Sequence, residues 1–419
     1  MLHSYSRINR HIFGLLSFCL IISTLCSCTG SSATVDDFNQ PLYTPQYASG
    51  FKILGQEGKQ SSLIRVTAPW QGDNTPVRDL FIQRDGEAVP DGFSGQILTG
   101  DAERIVCMSS TQIAMLHLVD GSKNVVGVSG MDFITSQEIL SRRAEIGDVG
   151  YDGNINYELL VSLKPDLVLL YGVFGADPME KKLQQLEIPY LYVGEYVEES
   201  PLGKAEWMMA VAETVGKRTR AEEVFQQIPE KYEALKKRVT DAGCGTPKVM
   251  LNMPYGDSWF LPPSQSYMVQ LIRDAGGEYI YQGNDSRSSK AIDMEEALLL
   301  ASKADKWINL GSDILSADDV SRALPNFAKL PVVVNTELYN NTERTTSAGG
   351  NDFYESGVVN PDLVLRDLIK ALHPELVPEP YTYYRRLPAK TPAEPDIDSE
   401  PEYTGYLSAA DSCAIAPAL

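Results

Sequence analysis

The strongest constraint on this chain is an alternation that begins at Glu103: an apolar run, a capped helical stretch, then another apolar run. Arg104-Ile105-Val106-Cys107-Met108 reads as a buried strand, and Ser109-Ser110-Thr111 can cap a helix reaching about Val119. Val125-Val126-Gly127-Val128 is the next strand. Asn156 caps a helix that ends at Lys164-Pro165, since the residue before proline is pushed out of helical geometry. Leu167–Tyr171 is a continuous apolar strand bounded by Gly172; a helix is expected around Met179–Leu186 and a strand over Tyr190–Val193. Alternation of this kind predicts a parallel sheet with helices on both faces.

Residues 203–242 interrupt the pattern with one long helical region. Ala221, Val224, Phe225, Ile228, Tyr232, Leu235 and Val239 recur at helical spacing, and Pro229 should kink the helix or mark a join. The alternation then resumes: strand Lys248–Asn252, helix Tyr267–Ala275 stopped by Gly276-Gly277, helix Asp293–Lys303, strands Trp307–Leu310 and Val332–Val334, and helix Pro361–Leu372 closed by His373-Pro374. The expected fold class is α/β: two Rossmann-like βα lobes, 101–202 and 244–385, joined by a long helix over 203–243. Residues 49–100, with the short runs Leu63–Val66 and Leu80–Ile82 among turn residues, read as a small β-rich unit. Residues 386–419 are rich in Pro, Glu and Ala and read as a disordered acidic tail.

The N-terminus carries an address. Arg7 and Arg10 precede an apolar run from Ile12 to Leu25, the layout of a secretory signal over residues 1–27. Leu25-Cys26-Ser27-Cys28 resembles the bacterial lipobox, with Cys28 as the lipidated residue and 28–48 as the tether between lipid and fold. Cleavage lowers the formal net charge from −20 to about −22.

That acid excess argues against nucleic acid as a partner, because phosphate binding needs concentrated Lys and Arg. Four histidines and six scattered cysteines leave little for a multi-ligand metal or iron–sulfur site, and neither a metal nor a cofactor is expected. Cys107 reads as a small buried hydrophobe. No nucleotide loop, serine-hydrolase elbow or zinc-protease motif occurs, so nothing argues for an enzyme. His117, mid-helix among apolar residues, and His373, at a helix end, read as structural.

Several segments in order resemble the periplasmic binding proteins of iron-siderophore and cobalamin ABC importers: Arg104–Ser110, Ile146–Gly150, Asn156–Leu169 with its Leu-Lys-Pro-Asp turn, Ile292–Leu298, and Val358–Leu365. The resemblance spans roughly residues 100–385. It implies a class III substrate-binding protein: a monomer whose lobes move little about a stiff helix and enclose a ligand cleft. It would be lipid-anchored in the periplasm and hand its cargo to an inner-membrane permease driven by an ATPase. By motif position, Glu158 and Glu295 would dock on arginines of that permease; otherwise each simply favours a helix N-terminus.

Ligands in such folds lie beyond the carboxyl ends of the strands. The nominated cleft residues are Ser110, Met131, Tyr151, Tyr171, Phe174 and Tyr196 in the first lobe. Tyr255, Trp259, Phe260, Arg344, Phe353 and Tyr354 are those of the second. Their rings suit a large, flat or greasy chelate, and Arg344 could pair with an anionic one. A ferric siderophore ranks first, a corrinoid next, and haem, with Tyr151 or Tyr255 as axial ligand, third. Two other classes of reading stand beside these: a metal-cluster protein, for which Cys107 and Cys244 are too few, and a lipid-anchored adhesion or assembly module using 49–100.

Overall fold

The computed structural model describes residues 33–390, apart from 73, 74, 152, 174 and 287. The signal, Cys28 and the tail beyond residue 390 lie outside the described residues. The expected α/β class holds, and three five-stranded sheets carry it.

The first sheet is built from β1 (Gln40–Tyr43), β2 (Phe51–Gly55), β3 (Ser62–Val66), β4 (Arg78–Gln83) and β5 (Gln96–Thr99), in that order. It is antiparallel except for the parallel β4–β5 pair. The sheet begins inside the segment expected to be tether. What holds that segment is a buried carboxylate: Glu206 accepts the Tyr43 hydroxyl at 2.6 Å and the Gln46, Tyr47 and Ala48 amides at 2.7 Å each. Glu198 likewise accepts from Ser49 and Gly50 and from the Trp207 indole, and Glu213 accepts from Ser62 and Arg84. Buried acids are tolerated when several donors converge on them, so these glutamates weld the unit to the first lobe.

The N-terminal lobe contains β6 (Ile105–Cys107), β7 (Val125–Val128), β8 (Gly147–Asp148), β9 (Leu167–Leu170) and β10 (Tyr190–Tyr192), in the order β10-β9-β6-β7-β8 with every pair parallel. The C-terminal lobe contains β11 (Lys248–Leu251), β13 (Glu278–Tyr279), β15 (Lys306–Ile308), β16 (Leu338–Asn340) and β17 (Arg385–Arg386), in the order β13-β11-β15-β16-β17, with only the last pair antiparallel. β12 (Ser258–Leu261) and β14 (Lys290–Asp293) form a separate two-stranded antiparallel sheet.

The two lobes repeat one local device. Asp166 accepts the Arg104 amide at 2.9 Å and Asp305 accepts the Lys248 amide at 2.8 Å, each carboxylate tying the start of its lobe's first strand to the paired strand that follows the aspartate. The Lys-Pro-Asp turn of the sequence is therefore a strand clamp, with Lys164 at φ 48° making the corner.

Some expectations need correction. The linking region is three helices, Pro201–Glu206, Met208–Thr214 and Arg218–Ala242. The break is Gly216 at φ 67°, where Lys217 N–H reaches back to the Ala212 carbonyl in a Schellman turn. The last helix, α1 (Arg218–Ala242), runs through Pro229 and is about 37 Å long. Its foreseen face is buried at Ala221, Phe225, Ile228 and Tyr232, and it packs on both Met208–Thr214 and α2 (Pro361–Leu372), thus on both lobes. Val332-Val333-Val334 is a helical turn, Pro331–Val334, because Pro331 supplies the fixed φ of a first helical position; the strand is Leu338–Asn340. The fold also continues past 385: Leu387 is buried, and Ala317 and Asp318 donate to the Pro388 and Ala389 carbonyls.

Candidate ligand cleft

The carboxyl ends of the strands place three loop clusters around the junction of the lobes. After β6, Ser109 caps helix Ser110–Leu118 in a capping box with Gln112. Thr111 Oγ1 donates to Glu195 Oε1 at 2.7 Å, and Glu195 sits in the turn after β10. Lys204 Nζ donates to the Glu195 carbonyl at 2.8 Å and lies 4.8 Å from the ring centroid of Tyr267, a C-lobe residue, and 5.9 Å from that of Tyr196. A cation between rings of opposite lobes is a polar rivet in an otherwise apolar seam.

Glu195 and Lys204 are both buried, and Glu195 Oε2 has no hydrogen-bond partner. Burial pushes the Glu195 carboxyl up, opposed by Lys204 and Thr111. Burial pushes the Lys204 ammonium down, opposed by Glu195 and Glu198. A small cavity of about 30 Å³ opens here, lined by Lys204, Tyr267, Phe353 and Tyr354 among others.

A second bridge joins the lobes. Thr135 and Ser136 amides donate to the two Glu355 oxygens at 2.7 and 2.9 Å, and Thr135 Oγ1 donates to Asp352 at 3.1 Å. Burial raises the Glu355 carboxyl to about 7, against the lowering effect of those donors. Asp148, from the Ile146–Gly150 motif, holds the neighbouring turn by accepting the Gly130 and Met131 amides at 3.0 and 2.9 Å. This sets Phe133 against Tyr151, ring centroids 4.9 Å apart, both exposed.

The nominated residues divide accordingly. Tyr151, Tyr196, Tyr255, Phe260 and Tyr354 present exposed rings, Tyr255 at 83%. Ser110 and Tyr171 are half-buried on their loops. Met131 is buried beneath the Gly130 turn. Trp259 is fully buried at 0%, packed at a tilt on Trp307 and Phe327 with its indole donating to the Leu251 carbonyl, because inward positions of β12 face the core. Phe353 is likewise core, packed on Tyr383 and Tyr384. Arg344 is engaged by Asp352 at 3.3 Å and by the Tyr383 ring at 5.7 Å. Phe174 lies outside the described residues. Sequence reasoning missed Lys204, Tyr267, Phe133 and Glu355; a lysine within the tightly packed Pro201-Leu202-Gly203-Lys204-Ala205 was the one available signal.

It missed the N-terminal sheet's part as well. A Cβ at Gly172 would lie 2.8 Å from the Pro69 carbonyl oxygen, and one at Gly194 only 2.6 Å from that of Ala68. The loop after β3 thus lies directly over the carboxyl ends of β9 and β10. Trp70, edge-on to Tyr192 with the Arg78 guanidinium over its face, seals it. The open side of the N-lobe is therefore left to the ends of β6 and β7.

Glu158 and Glu295 occupy equivalent places in the two lobes. Each is exposed in the first turn of a short helix, Tyr157–Ser162 or Met294–Ala301, capped by Asn156 or Asp293 and leading into a strand (β9 or β15) that pairs with the first strand of its lobe. Neither has an ion-pair partner among the described residues.

The sequence model of the periplasmic binding protein family matches residues 105–344, from the first strand of the N-lobe to the loop bearing Arg344. The chain belongs to that family. Two uncharacterized lipoproteins of Methanocaldococcus jannaschii are relatives, each 26% identical: one over 74% of this chain and 78% of its own length, the other over 72% and 77%. Solved structures share the fold. The apo periplasmic heme-binding protein RhuT of Roseiflexus sp. RS-1 has a TM-score of 0.52 at 19% identity, covering 66% of this chain and 99% of its own. A periplasmic binding protein of Veillonella parvula has 0.52 at 15%, covering 75% and 99%. As a periplasmic binding protein the chain is a substrate-binding protein of that class.

Proposed function

We propose that this protein is a lipid-anchored component of an ABC importer that captures a ferric chelate with an apolar or aromatic outer face and delivers it to the permease. The observation that carries the reading is the set of exposed rings on loops of the two lobes, Tyr151 against Phe133, Tyr196, Tyr255 and Tyr354, while the cations Lys204 and Arg344 are already engaged. Rings offer large contact area at small entropic cost, whereas a highly anionic siderophore would call for free guanidinium groups.

Haem is the second reading, supported by the free exposure of the Tyr255 and Tyr151 phenols, either of which could ligate iron. One of the fold's relatives is described as bound to two hemes, though at 18% identity. Glu158 and Glu295 are the docking carboxylates of this reading, one per lobe, meeting a basic permease rim.

The experiment is titration of the purified protein with a ferric siderophore, haem and cobalamin, followed by chelate absorbance. Saturable binding of one ferric species supports the proposal. Binding of cobalamin alone would replace the ferric cargo with a corrinoid, and binding of none would overturn the carrier reading.

A further inference from the structure

Outside the cleft, on the amino-end side of the C-lobe sheet, three potential ligand groups come together from two chain regions. Cys244, His373 and Glu375 have donor atoms all within 4.8 Å of one another. Cys244 follows Gly243, the left-handed cap of α1 at φ 58°. His373 is the cap residue of α2, and Glu375 follows two residues later. The Cys244 thiol already points at Glu375, Sγ to Oε1 3.5 Å.

Two further observations point to a cation. The C-termini of a 25-residue and a 12-residue helix converge here, and each brings the negative end of its dipole. A cavity of about 280 Å³ adjoins Cys244 and His373, leaving room for a further ligand. Its basic wall residues are committed elsewhere: Lys236 to Glu233 and Asp274, and Arg273 to the Ser264 carbonyl. His373 is buried, with Nε2 3.4 Å from the Gly276 carbonyl, the outer contact that orients a ligating imidazole.

We propose that Cys244, His373 and Glu375 form a binding site for a borderline-soft divalent metal such as zinc, stapling the end of the lobe-linking helix to the last helix. Thiolate, imidazole and carboxylate are the donor set such ions take, with an open fourth position. The proposal is independent of the cargo in the cleft.

The test is cobalt(II) titration of the full chain, with zinc competition. One equivalent should bind with a thiolate-to-cobalt charge-transfer band that zinc abolishes. Cys244→Ser, at a partly exposed position, should remove the band while the circular dichroism spectrum is unchanged. Glu375→Gln, exposed, should weaken binding about tenfold or more. Zinc should also raise the thermal midpoint of the wild type but not of Cys244→Ser. Absence of the band, or a band that survives Cys244→Ser, would overturn the site.

Discussion

The Thr135 main-chain amide of the N-lobe donates to the Glu355 carboxylate of the C-lobe at 2.7 Å. This latch between the lobes is completed by the Ser136 amide at 2.9 Å. It is a charge-assisted bridge whose charge titrates near neutrality.

The latch predicts a pH dependence. Glu355 binds its proton more tightly folded, at about 7, than at its ordinary value of 4.5. Its stabilising protonation is therefore fully present below about 4.5 and is lost as pH rises through 7, a contribution on the order of 3 kcal/mol. Glu355→Gln should flatten that segment of the stability–pH curve. It also sets an amide NH₂ against one of the two backbone donors, weakening stability at pH 8 by about 1–3 kcal/mol. Chemical denaturation at several pH values measures both.

The Glu195–Lys204 pair predicts strong coupling. Lys204→Met should lower stability by about 3–5 kcal/mol, because the buried Glu195 and Glu198 carboxylates both lose the attraction of its ammonium and the Glu195 carbonyl loses a donor. Adding Glu195→Gln should recover much of the loss. Denaturation of the two single variants and the double variant gives the coupling energy; additive losses would show that the two groups act separately.

Rim and core should separate cleanly. Tyr354→Ala is expected to weaken cargo binding about tenfold, equivalent to about 1.4 kcal/mol, with little effect on stability. Trp259→Ala should instead destabilise by about 3–5 kcal/mol, since it empties a fully buried site between Trp307 and Phe327. Absorbance titration and thermal unfolding report the two effects.

Glu158→Ala together with Glu295→Ala should abolish uptake in cells while leaving cargo affinity unchanged and stability within about 1 kcal/mol, the size of a helix N-terminal charge effect. Altered affinity would count against a docking role.

What could be read from the amino acids follows from the range over which each signal acts. Leu167–Leu170 is a strand because every side chain in it is buried, so a bare apolar run was enough. Asn156 and Asp293 cap helices by contacts three residues away, again within reach of inspection. Val332-Val333-Val334 misled because Pro331 overrides β-propensity in a stretch of four residues. Trp259 misled because alternation along β12 could not be phased: it faces inward while Phe260, its neighbour, faces out. The lobe seam was invisible for a different reason. Lys204 and Tyr267, or Thr135 and Glu355, meet only after two separate sheets have formed.

The clustering of donors on Glu206 and Glu198 has a consequence for geometry at the membrane. Among the described residues the first backbone pairing is Thr34 with Asp91, so a lipid on Cys28 would be at most about 20 Å along the chain from it. On the lipid-anchored reading proposed above, so short a connection would turn the N-terminal sheet towards the bilayer and would hold the carrier in a thin shell above it. A permease in the same membrane would then be met by lateral diffusion at high effective concentration, and docking would need only modest intrinsic affinity to be frequent.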